Sequence, residues 1–263
     1  MTSPARSRWL SWPTALLWRT LVATALTAGA SFGVGPLQRA DAAGNAASTV
    51  FAGQSGRQIV AEALVAARAM GSVTSSSSTT IAGQNYSLVT QANLASGQQT
   101  LRVGTAKTVV RVIGSTLYIN DNGSDTAIEA QFGVSDPKYA NRWIEIPSTN
   151  SYFAHFNAFV LLSSLLSEVV PGGSLKTTKV QMVGKISVVG VTGKPNIHLG
   201  LASGSETLYV STLAPHVPVE LVASDVVQGL RETFVITFTN WGKKFAVIKP
   251  VTSIAIAATD LPS

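Results

Sequence analysis

Few side chains in this sequence combine into a recognisable reaction centre. Its three histidines, His155, His198 and His216, lie far apart, and none has a carboxylate or serine at a spacing that marks a nucleophile–base pair. His155 falls on the apolar side of a helical pattern, the position of a core histidine rather than of a base. His198 and His216 fall in or between strand-like runs, as surface or turn residues. Ser135-Asp136-Pro137-Lys138 has the spacing of S-x-x-K, but Pro137 makes it a turn. Asp121-Asn122-Gly123-Ser124-Asp125 begins like a calcium loop, yet the remaining ligand positions and the closing Glu are missing, which leaves a turn and a helix cap. The sequence holds no G-x-S-x-G elbow, no H-E-x-x-H and no phosphate loop. With no cysteine, disulfides, thiolate metal sites and lipid-modified thiols are excluded. No catalytic residue, metal or cofactor is assigned, and an enzyme is not expected.

The residues left to carry function are apolar, and they concentrate in Tyr152–Val170, YFAHFNAFVLLSSLLSEVV. Ser148, Thr149, Asn150 and Ser151 precede this stretch as capping residues, and Pro171-Gly172-Gly173 ends it, so one helix is predicted. At 3.6 residues per turn, Asn157, Ser164, Ser167 and Glu168 form a narrow polar stripe. Phe153, Phe156, Phe159, Val160, Leu162, Leu165, Leu166 and Val169 fill most of the rest. Such a helix belongs in a core or a membrane. His155, Asn157, the serines and Glu168 are costly in lipid, so a helix clasped by a sheet is expected.

The totals agree with an apolar globular chain. Only 12% of the 263 residues are charged, and the mean hydropathy is +0.28. The net charge of +6 owes much to the N-terminus. Arg6, Arg8 and Arg19 precede or flank the apolar run Leu21–Val34, and Ala40-Asp41-Ala42 fits a small-x-small cleavage site, the pattern of an export signal over residues 1–42. Arg6 and Arg8 are not adjacent, so a twin-arginine signal is not indicated. The rival is an uncleaved anchor with Trp9, Trp12 and Trp18 at an interface, although Gly29, Gly33, Gly35 and Pro36 make a poor spanning helix. Cutting after Ala42 leaves 15 basic and 12 acidic residues, with no basic cluster larger than Lys243-Lys244. Nucleic-acid binding is not expected.

Residues 43–54 read as a tether. Ser55 and Gln58 then form a capping box ahead of Ile59, Val60, Ala63, Leu64 and Ala67, with Gly71 as the stop, a short amphipathic helix over Gly56–Met70. From Ser72 the period changes to two. Ser72–Ile81, Tyr86–Leu94, Gln98–Val103, Thr108–Ile113 and Thr116–Asn120 read as an antiparallel meander, followed by a short helix at Thr126–Phe132. Beyond Pro171 come Leu175–Val183, Lys185–Val191, Ile197–Leu201, Glu206–Thr212, Val217–Val222, Thr233–Thr239 and Phe245–Val251. Phe234, Ile236 and Phe238 share one face, and Val217, Val219 and Leu221 share another. About twelve strands with two main helices imply a single α+β domain over residues 55–250, with a tail at 251–263. A long antiparallel sheet must curl, and its natural partner is the apolar helix that interrupts it.

This order, with Leu208-Tyr209-Val210, Ala214-Pro215-His216-Val217-Pro218-Val219-Glu220-Leu221 and Phe238-Thr239-Asn240-Trp241-Gly242-Lys243-Lys244, resembles the LppX/LprG-type exported lipoproteins of actinobacteria and, more distantly, the LolA/LolB lipoprotein carriers. The specific residues lie almost entirely in Leu208–Pro250. The resemblance implies a strongly curved antiparallel half-barrel wrapped around one long apolar helix and one or two shorter ones, enclosing an apolar cavity for acyl chains. One departure is clear: the region around Ala40–Gly44 lacks the family's lipobox cysteine. The protein is then either released or held by an uncleaved signal.

The expected function is binding and transfer of a lipid or lipoglycan in the cell envelope. Ile59, Leu64, Phe153, Phe156, Phe159, Leu162 and Leu166 are the expected lining of the cavity, without a choice of which point inward. Acyl chains are the expected partner, with the membrane surface or other envelope proteins beside them, and the chain is expected to be a monomer. The alternative is a non-catalytic envelope protein whose β-surface binds a protein or cell-wall polymer, with Trp143 and Trp241 as surface anchors rather than packing residues.

Overall fold

Ser55 and Gln58 start the first helix as their spacing predicts. Ser55 Oγ accepts the Gln58 amide at 3.3 Å, and Gln58 Oε1 accepts the Ser55 amide at 2.8 Å. The helix, α1 (Gly56–Met70), ends at Gly71, whose φ of 75° lets its amide turn back to Arg68 O at 3.0 Å. Its buried side is small (Gly56, Ile59, Val60, Ala63 and Ala67), so the backbone comes close to what lies beneath. A Cβ on Gly56 would stand only 3.0 Å from Leu175 Cβ and from Val191 Cγ1.

The computed structural model describes residues 50–81, 84–121, 139, 141–150, 153, 157, 159–195, 204–227 and 230–256. The export signal, residues 43–49 of the tether, the Thr126–Phe132 helix, Ser135–Lys138, the Ile197–Leu201 strand, His155, Phe156, His198 and residues 257–263 lie outside them, as does the acidic turn beyond Asp121.

Six strands follow α1: β1 (Ser72–Ile81), β2 (Gln84–Asn93), β3 (Ser96–Val103), β4 (Ala106–Ile113), β5 (Thr116–Asp121) and β6 (Ile144–Pro147). A second helix, α2 (Leu162–Glu168), precedes β7 (Gly172–Thr177), β8 (Gln181–Val183), β9 (Ile186–Lys194), β10 (Ser205–Ser211), β11 (Pro218–Val227), β12 (Leu230–Thr239) and β13 (Ile254–Ala255). They form one 13-stranded sheet ordered β13-β6-β5-β4-β3-β2-β1-β12-β11-β10-β9-β7, with β8 paired to β9. Two meanders are thus fused where β1 meets β12, at Thr74–Thr239 through Ser76–Thr237. Among the described residues only β13, beside β6, runs parallel to its neighbour, and the outermost strands do not meet. The result is a large, curved, unclosed antiparallel sheet with two described helices. None of the described helices is long and apolar enough to cross a membrane.

The central apolar stretch is not one continuous helix. Phe153 and Asn157 are helical, but Phe159 and Val160 form a turn and Leu161 is extended (φ −90°, ψ 148°) before α2 begins. The reason is geometric. Val160 is buried with Val110, Val112, Leu117, Ile119, Ile144 and Ile146 under the first meander. Phe159, Leu162, Leu165, Leu166 and Val169 pack instead with α1 and with Val73, Leu208, Leu221, Ile236 and Phe238. Phe159 and Val160 are adjacent yet join different cores, and the break at 159–161 turns the chain from one to the other. Gly97 makes room for it, since a Cβ there would overlap the Val160 carbonyl.

Three further runs differ from the periodic reading. Leu175–Val183 is split into β7 and β8, and Thr178 ties the gap to β9 by donating its amide to Gly190 O at 2.8 Å and accepting the Gly190 amide on Oγ1 at 2.9 Å. Val219 and Leu221 do not share a face. A β-bulge between Tyr209 and Val210 puts Val219 beside Tyr209 on one side of the sheet and Leu221 beside Leu208 on the other. Phe245–Val251 is not a strand, because Asn93 and Arg111 side chains take the carbonyls of Phe245 and Ile248.

Candidate functional site

The face of the sheet that carries the helices is apolar, and its register can be followed strand by strand. In β1–β6 one row across the sheet is Val73, Ala92, Gly97, Val112, Leu117 and Ile146, each paired with the next, and all are buried. Two residues further along the strands lie Ser75, Thr90, Gln99, Val110, Ile119 and Ile144, mostly buried, with Gln99 Nε2 donating to Thr90 Oγ1 at 3.2 Å. The next row is Ser77, Leu88, Leu101 and Thr108, and the one after it contains Tyr86 and Val103; all of these are half-buried. Burial therefore falls from one end of the inner face to the other, and Leu88, Leu101, Tyr86 and Val103 carry apolar surface to the less covered end. Side-chain alternation decides which residues these are, and the helices decide where cover ends.

The expected lining residues divide along the same line. Ile59, Phe159, Leu162 and Leu166 sit in one cluster, with Leu64 packed against it and only partly covered. Phe153 belongs with the second cluster and is also partly covered. Phe156 lies outside the described residues. The fold thus brings Ile59, Leu64, Phe159, Leu162 and Leu166 together and places Phe153 in the other cluster, with Val160.

Two further polar groups are buried in the interior. Glu206 alternates with Leu208 and Val210 on the inner face, opposite Gly193 and Ala223, and is fully buried. A carboxylate in that position is expensive without specific partners. The sequence signal for this placement is the alternation Glu206-x-Leu208-x-Val210. Asn157 Oδ1 is buried with no hydrogen-bond partner among the described residues, an acceptor open to a donor from elsewhere.

His216 is held by Phe51 of the tether, ring to ring at 5.3 Å and 64°, and its Nδ1 is 3.1 Å from the Ser211 carbonyl. Its partners are a carbonyl and an aromatic edge, not a nucleophile and a carboxylate. No group of three or more metal-ligating side chains occurs among the described residues. Trp143 and Trp241 are both engaged in packing. Trp241 Nε1 donates to Pro218 O at 2.9 Å, and Arg111 lies over the Trp143 ring at 4.4 Å. Burial pulls the Arg111 guanidinium below its ordinary pKa, but an arginine remains cationic at any working pH.

Neither a protein-family model nor a curated protein matches this sequence. Among solved structures, LprF from Mycobacterium bovis is similar at 16% identity, covering 74% of this chain and 96% of its own, with a TM-score of 0.46. An uncharacterized conserved protein from Thermus thermophilus is 10% identical, covering 77% of this chain and all of its own at a TM-score of 0.40. A DUF1329 family protein from Desulfovibrio piger is 9% identical over 69% of this chain and 91% of its own, at 0.25.

Proposed function

We propose that this protein is exported to the cell envelope and there holds the acyl chains of a lipid or lipoglycan against the inner face of its sheet, handing them on by equilibrium binding without covalent chemistry. The observation that carries the reading is the burial gradient. Leu88–Leu101 and Tyr86–Val103 continue the apolar face beyond the helices and keep part of their surface uncovered. Leu64 and Phe153 extend that lining from the helical side, and Ile59, Phe159, Leu162 and Leu166 form the wall behind it. About ten buried methylenes contribute roughly 8 kcal/mol, a micromolar Kd before ordering terms. Asn157 and the Thr90–Gln99 pair supply polar points for a head group or its linkage.

Native mass spectrometry with lipid extraction, on the full chain expressed in an actinobacterial host, tests this. A stoichiometric adduct of acyl-lipid mass is expected. The same spectrum reads whether the chain has been cut after Ala42. Leu101→Glu places a carboxylate on the lining at a half-covered position and is expected to leave the fold intact while abolishing the adduct. A wild-type protein that carries no lipid and takes up no added phospholipid or glycolipid sinks the reading. A folded Leu101→Glu protein with undiminished load sinks the lining assignment alone.

A further inference from the structure

The segment Lys243–Ser253 crosses the outer face of the first meander as a strap, between Trp241, packed in one inner cluster, and Ile254 and Ile256, packed in the other. Ser72 Oγ donates to Lys243 O at 3.0 Å, Asn93 Nδ2 to Phe245 O at 3.4 Å and Arg111 Nη1 to Ile248 O at 2.9 Å. Lys249 Nζ stands 5.8 Å from the Tyr118 ring, Ser253 Oγ donates to Glu145 Oε2 at 2.7 Å, and Ile254 donates its amide to Trp143 O at 2.8 Å. Its backbone is therefore pinned from β1 to β6. Phe245, Val247 and Pro250 are covered to varying degrees, whereas Ala246, Ile248 and Val251 are exposed. Ile248 is 70% and Val251 101% exposed, and Leu94 in the turn between β2 and β3, next to Asn93, is 57% exposed. Such side chains gain little from the fold where they are, and several of them presented outward on one pinned segment and the turn bonded to it make a patch suited to a receiving surface.

Among the described residues the surrounding charge is mainly positive. Lys243, Lys244 and Lys249 are exposed, and Trp241–Ile256 contains no Asp or Glu. Among the described residues, the outer face of β2–β6 adds Arg102, Lys107 and Arg111 against one carboxylate, Glu145, which Ser253 engages. Lysines flanking outward aliphatic side chains are the combination that binds an anionic membrane surface. An anionic polysaccharide would use the charge but not Ile248 or Val251.

We infer that the strap docks this face of the protein onto an anionic lipid bilayer, with Ile248 and Val251 entering the head-group region and Lys243, Lys244 and Lys249 facing lipid phosphates. The site lies on the opposite side of the sheet from the inner face, so its test is separate from that of lipid carriage.

Because the chain has no cysteine, Val251→Cys can be labelled uniquely with an environment-sensitive fluorophore. Val65→Cys on α1, 65% exposed in the native protein, is the control position. The full chain carries the apolar run Leu21–Val34, so local insertion is read rather than total binding, with phosphatidylcholine vesicles made with or without phosphatidylglycerol and nitroxide-labelled lipid as quencher. The expected result is a blue shift and quenching at position 251 only with phosphatidylglycerol, weakening as salt rises. Each lysine near the surface contributes roughly a fivefold factor, so Lys243→Ala/Lys244→Ala/Lys249→Ala should lower insertion of the label roughly a hundredfold. All three positions are exposed, and an unchanged melting curve checks the fold. No response at position 251, an equal response at position 65, or full insertion in the triple variant would each overturn the inference.

Discussion

Gly97→Ala puts the break in the central apolar stretch to its most direct test. Gly97 lies on the inner face of β3, and a Cβ there would overlap the Val160 carbonyl oxygen and come within 2.8 Å of its carbon and 3.0 Å of Val160 Cγ1. The glycine is not at positive φ, so alanine is acceptable to the backbone and the effect is steric. To restore ordinary contact the crossing at 159–161 must retreat by more than an ångström. Retreat on that scale forfeits a quarter to a half of a packed contact. Fully burying a side chain such as Phe159 or Val160 contributes about 1.5–3 kcal/mol, so the two together lose roughly 1–3 kcal/mol. Overpacking strain adds about 1–3 kcal/mol, and the lower entropy of the unfolded alanine chain returns roughly 0.4–1 kcal/mol. The net expectation is a loss of about 2–4 kcal/mol, or a fall in Tm of roughly 5–15 °C for a domain of this size. Urea denaturation and thermal melting read it. Gly172→Ala is the control: its Cβ would meet only Lys194 O, at 3.7 Å, and it should melt within a few degrees of the parent. A Gly97→Ala protein as stable as the parent would refute the crossing as drawn.

Two further substitutions probe other joints of the fold. Ser55→Ala removes the cap of α1 and leaves the Gln58 amide without its acceptor, for an expected loss of about 1 kcal/mol in urea denaturation. Arg111→Met keeps the apolar stem but deletes the 2.7 Å bond to Gln98 and the 2.9 Å bond to Ile248 O; the strap amides should then exchange with solvent faster, roughly tenfold for about 1.4 kcal/mol of local stability, while the amides of α1 remain unchanged.

Local structure was legible wherever a short-range rule applied. The capping box at Ser55 and Gln58, the glycine stop at Gly71 and the alternation of β1–β5 all act within a few residues, so their signals are complete in the sequence. Phe234, Ile236 and Phe238 share a face for the same reason. Tertiary structure decided the rest. Tyr152–Val170 satisfies every local rule for one helix, and is broken because its side chains serve two cores at different places on a curved sheet. Val219 and Leu221 are parted by a bulge opposite Tyr209 that strand periodicity cannot contain. The Phe245–Val251 run has strand composition, but the carbonyls of Phe245 and Ile248 go to Asn93 and Arg111, far away in the chain. Which apolar residues stay half-covered, and so are available to a ligand, depends on where the helices stop on the sheet. That boundary is set by packing between helices and strands that are distant in the chain, such as Leu162–Glu168 on Gln84–Asn93, and no local pattern in Leu88, Leu101, Tyr86 or Val103 records it.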